Sequence, residues 1–317
     1  MRRGCCLGCL ISPVLVGACV AGVAYLAAKM DLTHEAPRID TVAHMGGQPE
    51  VLVRLNPNAP ELVSLLLEGF SGAPPQFVTA FLPHEATLAI GFDGEQEQAS
   101  CVLALSLRRL TGALAWLASD PEGWRISPVQ QGIQAAKEAD GLWVVRSHWP
   151  VSGEMRERAA AWWPEARFAP LELEGGHVLE ALLDNRSGGA LLALEALLAP
   201  RDLALEQREA VVNAPFDMEA QRLPGIFRRL EAVRLSADIE EANRARVRVE
   251  ANGRDEAAAE SLAFFLYTLR DLAYRELIEE DIVLTGDILV SGAAVRGIFT
   301  IDGIHDRLVR AIRENAR

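Results

Sequence analysis

Residues 232–251, AVRLSADIEEANRARVRVEA, alternate apolar and polar side chains on both sides of the stretch EANR. Such alternation places the apolar side chains on one face of a strand and the polar side chains on the other. The segment therefore predicts a β-hairpin whose valines and leucine face a core and whose arginines face away from it.

Other segments of the chain show strand or helix periods. Alternation or short apolar runs predict strands at 51–55, 87–93, 99–107, 142–149, 281–292 and 293–301. Apolar residues at helical spacing predict helices over 60–70, 107–118, 154–163 and 257–276, and after Asp302. Strand pairs followed by helices indicate an α+β fold, in which helices cover one face of largely antiparallel sheets.

The chain also aligns with itself. An ungapped shift of 117 positions brings residues 53–88 onto residues 170–205 and sets Leu62 on Leu179. A Gly-Ala pair and a proline also coincide. Chance matching of two leucine-rich segments is the alternative, but the shared glycine turn and proline favour an internal duplication.

The sequence therefore predicts four parts. Residues 1–30 are expected to form a transmembrane anchor, and residues 31–49 a polar juxtamembrane linker. Residues 50–165 and 166–317 are expected to be two tandem copies of a strand–helix–hairpin–helix unit, the second with an insertion near 206–230. The predicted fold class is an N-terminal transmembrane helix followed by this α+β repeat.

Charge limits the partners of the chain. Twenty-nine of its 31 basic residues are arginine, a composition typical of a GC-rich bacterial genome. From Met30 on, 28 basic residues face 44 acidic ones, a formal charge of −16. Such a body repels phosphate backbones, so we expect no nucleic-acid partner. Cys101 is the one cysteine in this part, so the fold cannot depend on internal disulfides.

Residues 5–28 carry no charge. As a helix rising about 1.5 Å per residue they reach roughly 36 Å, enough to cross the roughly 30 Å hydrocarbon layer of a membrane. Arg2 and Arg3 precede this segment and favour a cytoplasmic N-terminus. We expect a single-pass protein of the bacterial inner membrane, with its body in the periplasm or outside the cell.

A lipoprotein is the alternative to this anchor. Residues 16–19, VGAC, resemble the lipobox of bacterial lipoproteins, in which Cys19 would become the lipidated first residue. The apolar run continues for nine residues beyond Cys19, which favours an anchor that is not cleaved. Cys6 and Cys9 have the spacing of half a metal site, but zinc needs four ligands and no second pair exists.

Catalytic motifs are absent from the sequence. It contains no G-x-S-x-G, no S-x-x-K, no phosphate loop and no dinucleotide motif, and its six histidines occur singly. We therefore expect no cofactor, no metal site and no catalytic residue. The enzymatic alternative is an envelope hydrolase whose site forms from scattered groups such as Glu85, Asp184 and His177.

Two sets of residues are candidates for ligand binding. Tryptophans bind sugars, lipids and partner helices through stacking and apolar contact, and the tryptophans expected to be exposed are Trp124, Trp149, Trp162 and Trp163. The peptide Asp184-Asn185-Arg186 offers a carboxylate, an amide and a guanidinium before a glycine turn. The alternative for the tryptophans is that they fill the core. The alternative for the peptide is that it only forms a turn.

The sequence as a whole predicts a membrane-anchored binding or scaffold protein of the bacterial envelope. Its partners are expected to be the membrane, through the N-terminal helix, and an envelope protein or an apolar ligand. A carrier with an apolar cavity under the sheets is a further alternative to the hydrolase.

Overall fold

The computed structural model describes part of the chain, and the structural statements below refer to that part. The described residues are 38–45, 49–69, 75–93, 98–109, 111–112, 133–139, 141–150, 171–185, 190, 229–240, 244–278 and 282–315.

In the part of the chain that the structure describes, ten strands form one sheet. They are β1 (Val51–Leu55), β2 (Glu85–Asp93), β3 (Gln98–Ser106), β4 (Ile133–Ala139), β5 (Leu142–Pro150), β6 (Leu179–Asp184), β7 (Leu230–Glu240), β8 (Arg244–Gly253), β9 (Val283–Ser291) and β10 (Ala294–Asp302). Their order is β4-β5-β3-β2-β1-β6-β7-β8-β10-β9. Each strand is antiparallel to its neighbours.

Within the described ranges, four α-helices accompany the sheet: α1 (Pro60–Gly69), α2 (Pro75–Phe81), α3 (Glu256–Ile278) and α4 (Ile304–Asn315). Asp255 caps α3, because its carboxylate accepts the backbone N–H of Ala258 at 2.7 Å. Helix α4 packs against α1, where the Arg313 guanidinium donates to the Glu68 carbonyl oxygen at 2.9 Å. A short 3₁₀ helix at Val42–His44 precedes β1.

The predicted fold class is wrong. The described residues form one continuous ten-stranded antiparallel sheet with few helices instead of two tandem α+β units. Strand β1 pairs directly with β6 through the Val53–Ala181 register, and this pair joins the two parts of the chain that the prediction kept apart. The boundaries predicted at residues 49/50 and 165/166 stay predictions.

The shift of 117 positions also does not match the elements. It sets Leu62, which lies in α1, on Leu179, the first residue of β6. A helix residue is thereby aligned with a strand residue, so the predicted duplication is not supported.

The N-terminal helix lies outside the described residues. Among the helices in the described ranges, none combines the length and the apolar character needed to cross a membrane. Residues 1–37, which include the predicted anchor and Cys19, are not described. The anchor and its lipoprotein alternative therefore stay predictions.

Strand alternation gives the sheet two different faces. The first, which we call the helix face, packs against α3 and contains buried Val249, Val295 and Phe299. The second, which we call the arginine face, carries Arg54, Arg234, Arg248 and Arg296. The register places Arg54, Glu180, Ser236, Arg248 and Ile298 in one row across it. The hairpin of β7 and β8 thus forms as its alternation predicts, with valines inward and arginines on the opposite face.

Residues 38–45 cover the arginine face over β1, β2, β3 and β5. Met45 joins Leu52, Ala89 and Val144 in a buried apolar cluster. Thr41 is fully buried and shares hydrogen bonds with Glu85 and Thr87 of β2. The other half of this face, over β7, β8 and β10, contains a concavity.

Candidate functional site

A concavity of ≈ 360 Å³ lies on the arginine face, over β7, β8 and β10. The described residues that line it are mostly charged: Glu174, Arg234, Ser236, Arg248, Glu250, Arg296 and Ile298. Ligand sites of proteins commonly have volumes of about 300–1,000 Å³, but most are more apolar than this one. The concavity is thus large enough for a small ligand or a few residues of a peptide, and its chemistry is ionic.

The strand register explains why these side chains meet. Arg234 of β7 is opposite Glu250 of β8, which in turn is opposite Arg296 of β10. Directly opposite residues on one face of an antiparallel pair have Cβ atoms about 4.5–5.5 Å apart. The antiparallel register therefore assembles a row of alternating positive and negative charges across three strands.

Two arginines of the concavity are held by carboxylates. The Arg234 guanidinium forms ion pairs with Glu174, at 2.7 Å, and with Glu250. The Arg296 guanidinium reaches the second carboxylate oxygen of Glu250 at 2.7 Å. Glu250 therefore bridges two guanidinium groups and fixes both of them on the wall of the concavity.

These contacts shift two pKa values. Burial raises the pKa of the Glu250 carboxyl, but hydrogen bonds and charge from Arg234 and Arg296 outweigh that effect, so the pKa lies below its ordinary value. Burial lowers the pKa of Arg234, but Glu250 and Glu174 outweigh it and the pKa is raised. Glu250 and Arg234 are consequently both charged at neutral pH.

Arg248 differs from its neighbours. Among the residues that the structure describes, its guanidinium makes no hydrogen bond or ion pair, although it lines the concavity. The next arginine along β8, Arg246, pairs with Glu240 at 2.9 Å, and Arg244 pairs with Asp302 at 2.7 Å. Arg248 is therefore the arginine of β8 that is left to bind an anionic group from outside.

A buried carboxylate shapes one side of the site. Glu180 of β6 is 1% exposed, and its two oxygens accept the backbone N–H groups of Glu174 and Gly175, each at 2.9 Å. These bonds hold residues 171–176 on the arginine face, so that the Glu174 carboxylate meets Arg234.

A histidine lies next to this segment. The Nδ1 atom of His177 is 2.7 Å from an Asp238 carboxylate oxygen, and its Nε2 atom is 3.7 Å from Glu174. A histidine and a carboxylate form part of a hydrolytic triad, but the triad also needs a nucleophile at the second ring nitrogen. The described neighbour at Nε2 is a carboxylate, so this pair supplies no activated nucleophile.

The three residues of the hydrolase alternative do not line the concavity. Glu85 lies in β2 and contacts Arg54 at 3.4 Å. Asp184 ends β6, and His177 precedes the other end of that strand. Within the described part of the chain, no group of three or more histidine, cysteine or acidic side chains is arranged to hold a metal ion.

Cys101 lies in β3, as its apolar surroundings predict. Burial raises the pKa of its thiol. Because the thiolate is the reactive form, this environment keeps the side chain unreactive near neutral pH.

The predicted ligand-binding residues are only partly described. Four of these residues lie outside the described residues: Trp124, Trp162, Trp163 and Arg186. Trp149 lies in β5. The binding role of this set stays a prediction.

The remaining two residues of that prediction are at the end of β6. The Asp184 N–H donates to the Glu50 carbonyl at 2.6 Å. Asn185 is 1% exposed, and its backbone N–H donates to the backbone carbonyl oxygen of Glu231 at 2.8 Å. The structure therefore places both in the packing between strands, away from the lining of the concavity.

Sequence reasoning missed the arginine cluster as a site. The alternation in residues 245–251 correctly places Arg246, Arg248 and Glu250 on one face. This alternation does not indicate which arginine lacks a carboxylate partner, because carboxylates that pair with the arginines of this face also come from β7, β10 and residues 171–176.

Comparisons with known proteins are limited. No family model matches the chain, and no curated protein matches it. Crystal form III of TP0453 is similar, with 14% identity and a TM-score of 0.40 over 87% of this chain and 99% of that chain. Form IV has 16% identity and a TM-score of 0.36 over 87% and 97%. Similarity at these values identifies no function for this chain.

Proposed function

We propose that this chain is a membrane-tethered binding protein of the bacterial envelope, and that its arginine face binds a carboxylate-bearing ligand. The single observation that carries the proposal is Arg248, a guanidinium in a charged concavity with no partner among the described residues. A guanidinium presents donors in a planar fork that matches the two oxygens of a carboxylate. A ligand carboxylate would pair with the Arg248 guanidinium as the Glu250 carboxylate pairs with Arg234 and Arg296.

The charge balance favours a singly charged group. Among the described residues, three guanidinium groups and two carboxylates line the concavity, which leaves one formal positive charge. A carboxylate neutralises that charge, whereas a dianionic phosphate would leave one excess negative charge beside Glu174 and Glu250. The ionic lining also argues against an apolar ligand, since Ile298 is the one large aliphatic side chain among the described residues that form it.

Binding of a single carboxylate is the direct test. We expect N-acetylglutamic acid amide to bind the detergent-solubilised full-length protein with a saturable signal in saturation-transfer NMR. Arg248→Ala is expected to raise the Kd about tenfold or more, because it removes a hydrogen-bonded charge pair. Inorganic phosphate is expected to compete less effectively than acetate.

Arg246→Ala is the matched control for this test. Arg246 lies two positions away on the same face of β8, but it pairs with Glu240 and does not line the concavity. Arg246→Ala removes the same positive charge as Arg248→Ala. If both variants weaken carboxylate binding equally, the effect comes from net charge alone, which would contradict the proposal. Absence of carboxylate binding to the unmodified protein would also contradict it.

Residues 5–28 support the membrane part of the proposal, because they form an uncharged segment long enough to span a bilayer. In intact spheroplasts, we expect added protease to digest the body while a cytoplasmic control protein survives. Mass spectrometry is expected to find Arg2 and Arg3 still attached. Survival of the body together with the control would contradict the orientation, and a chain beginning at a lipidated Cys19 would contradict the uncleaved anchor.

A further inference from the structure

The arginine face already holds two segments of this chain in the same manner. In residues 38–45, the Asp40 carboxylate meets the Arg54 guanidinium at 3.1 Å. In residues 171–176, the Glu174 carboxylate meets Arg234 at 2.7 Å. Each segment thus places one acidic side chain on one arginine of the sheet.

The same face also binds the main chain of these segments. The Arg234 guanidinium donates to the carbonyl oxygen of Glu172 at 3.1 Å. The Ser106 hydroxyl of β3 accepts the backbone N–H of Ile39 at 3.4 Å. The face therefore provides contacts to peptide groups as well as to carboxylates.

The strand order is similar on the two sides of the β1–β6 pair. Outward from the Val53–Ala181 pair, the order is β1-β2-β3-β5-β4 on one side and β6-β7-β8-β10-β9 on the other. Strands β7, β8 and β10 thus follow this pair in the same order as β2, β3 and β5 do on the other side. Residues 38–45 cover the arginine face over β2, β3 and β5, and the concavity lies on that face over β7, β8 and β10.

Matching positions in the two halves carry different residues. Counted along the registers outward from the Val53–Ala181 pair, each apolar position under residues 38–45 corresponds to one position in the wall of the concavity. The corresponding positions are Ala89 and Ser236, Val102 and Arg248, Ala104 and Glu250, and Val144 and Arg296. The first half buries apolar side chains under a segment of its own chain. The second half presents charges at the same positions, which suit a polar segment.

We propose that the ligand of the concavity is an extended acidic peptide segment of a partner protein, lying over β7, β8 and β10. This inference rests on the proposed function, since it names the kind of molecule that carries the carboxylate. An acidic side chain of the segment pairs with Arg248. Its peptide carbonyls accept hydrogen bonds from neighbouring guanidinium groups, as Glu172 does from Arg234.

A peptide with the sequence of residues 171–176, LELEGG, is a suitable probe, because the face already binds that chemistry. We expect the fluorescein-labelled, C-terminally amidated peptide to bind the detergent-solubilised full-length protein in a saturable anisotropy titration. Arg248→Ala is expected to weaken it about tenfold or more, and Arg246→Ala less than about threefold. A peptide with glutamine at both glutamate positions is expected to bind about tenfold or more weakly.

Competition separates this inference from the proposed function. We expect N-acetylglutamic acid amide to displace the peptide only at concentrations about tenfold or more above the peptide Kd, since it lacks the main-chain contacts. If the single residue binds through Arg248 and the peptide binds no more tightly, the inference fails and the proposed function stands. If neither binds through Arg248, both fail.

Discussion

A Gly286→Val variant is expected to lose about 3 kcal/mol of unfolding free energy. Gly286 lies in β9 directly opposite Phe299 of β10. A Cβ atom at this position would come within 2.7 Å of the Ile298 carbonyl oxygen and 2.5 Å of the Phe299 ring. The carbonyl is main chain and the ring is part of the buried helix-face core. Neither can move without separating the strands or disturbing the core, so the cost lies at the upper end of overpacking.

Urea unfolding followed by circular dichroism measures this loss. Thr285→Val is the matched control, because it introduces the same side chain at the neighbouring position of β9, where the side chain is exposed. We expect the control to change the free energy by less than about 0.5 kcal/mol. A Gly286→Val protein as stable as the control would contradict the close approach of β9 and β10.

Local alternation predicts the C-terminal part of the sheet well. Strands β7, β8, β9 and β10 appear where a period of two marks them, and α3 follows its helical stripe from Glu256 to Ile278. In these elements, each side chain's burial is set by a pattern of neighbours in the sequence. The tertiary structure agrees with that pattern, so the local sequence alone is sufficient to predict these elements.

Strand β6 shows why the fold class was nevertheless missed. Its sequence, LEALLD, consists mostly of strong helix formers, and the shift of 117 positions sets its first residue on Leu62 of the helix predicted at 60–70. In the structure it lies between β1 and β7, at the centre of the sheet. Pairing on both edges outweighs its intrinsic preference, and this long-range effect turns two predicted units into one sheet.

The site shows the same limit. The contact between His177 and Asp238 spans 61 positions of the chain, and residues 171–176 reach the arginine face only through the buried carboxylate of Glu180. The alternation of β8 places Arg248 on this face, but its lack of a partner depends on where other segments lie. A single sequence shows the donors and cannot show which of them remain unpaired.

The expected cost of Glu180→Ala is about 3 kcal/mol or more. The Glu180 carboxylate accepts two backbone N–H groups, from Glu174 and Gly175, and is itself 1% exposed. A hydrogen bond to a charged group contributes roughly 1.5–3 kcal/mol, and truncation leaves both donors without this acceptor. Glu180→Gln keeps one acceptor oxygen, so we expect it to lose about half as much.

Two measurements distinguish this role from a general loss of packing. Glu172→Gln removes a carboxylate from the same segment, but that side chain is exposed, so unfolding in urea is expected to shift by less than about 0.5 kcal/mol. Amide hydrogen exchange at Glu174 and Gly175 is expected to accelerate in Glu180→Ala more than exchange in β8 does. Because the same segment carries the Glu174 carboxylate to Arg234, its release also removes one wall of the concavity. Unchanged exchange at these two amides would contradict the role of Glu180 in holding that wall.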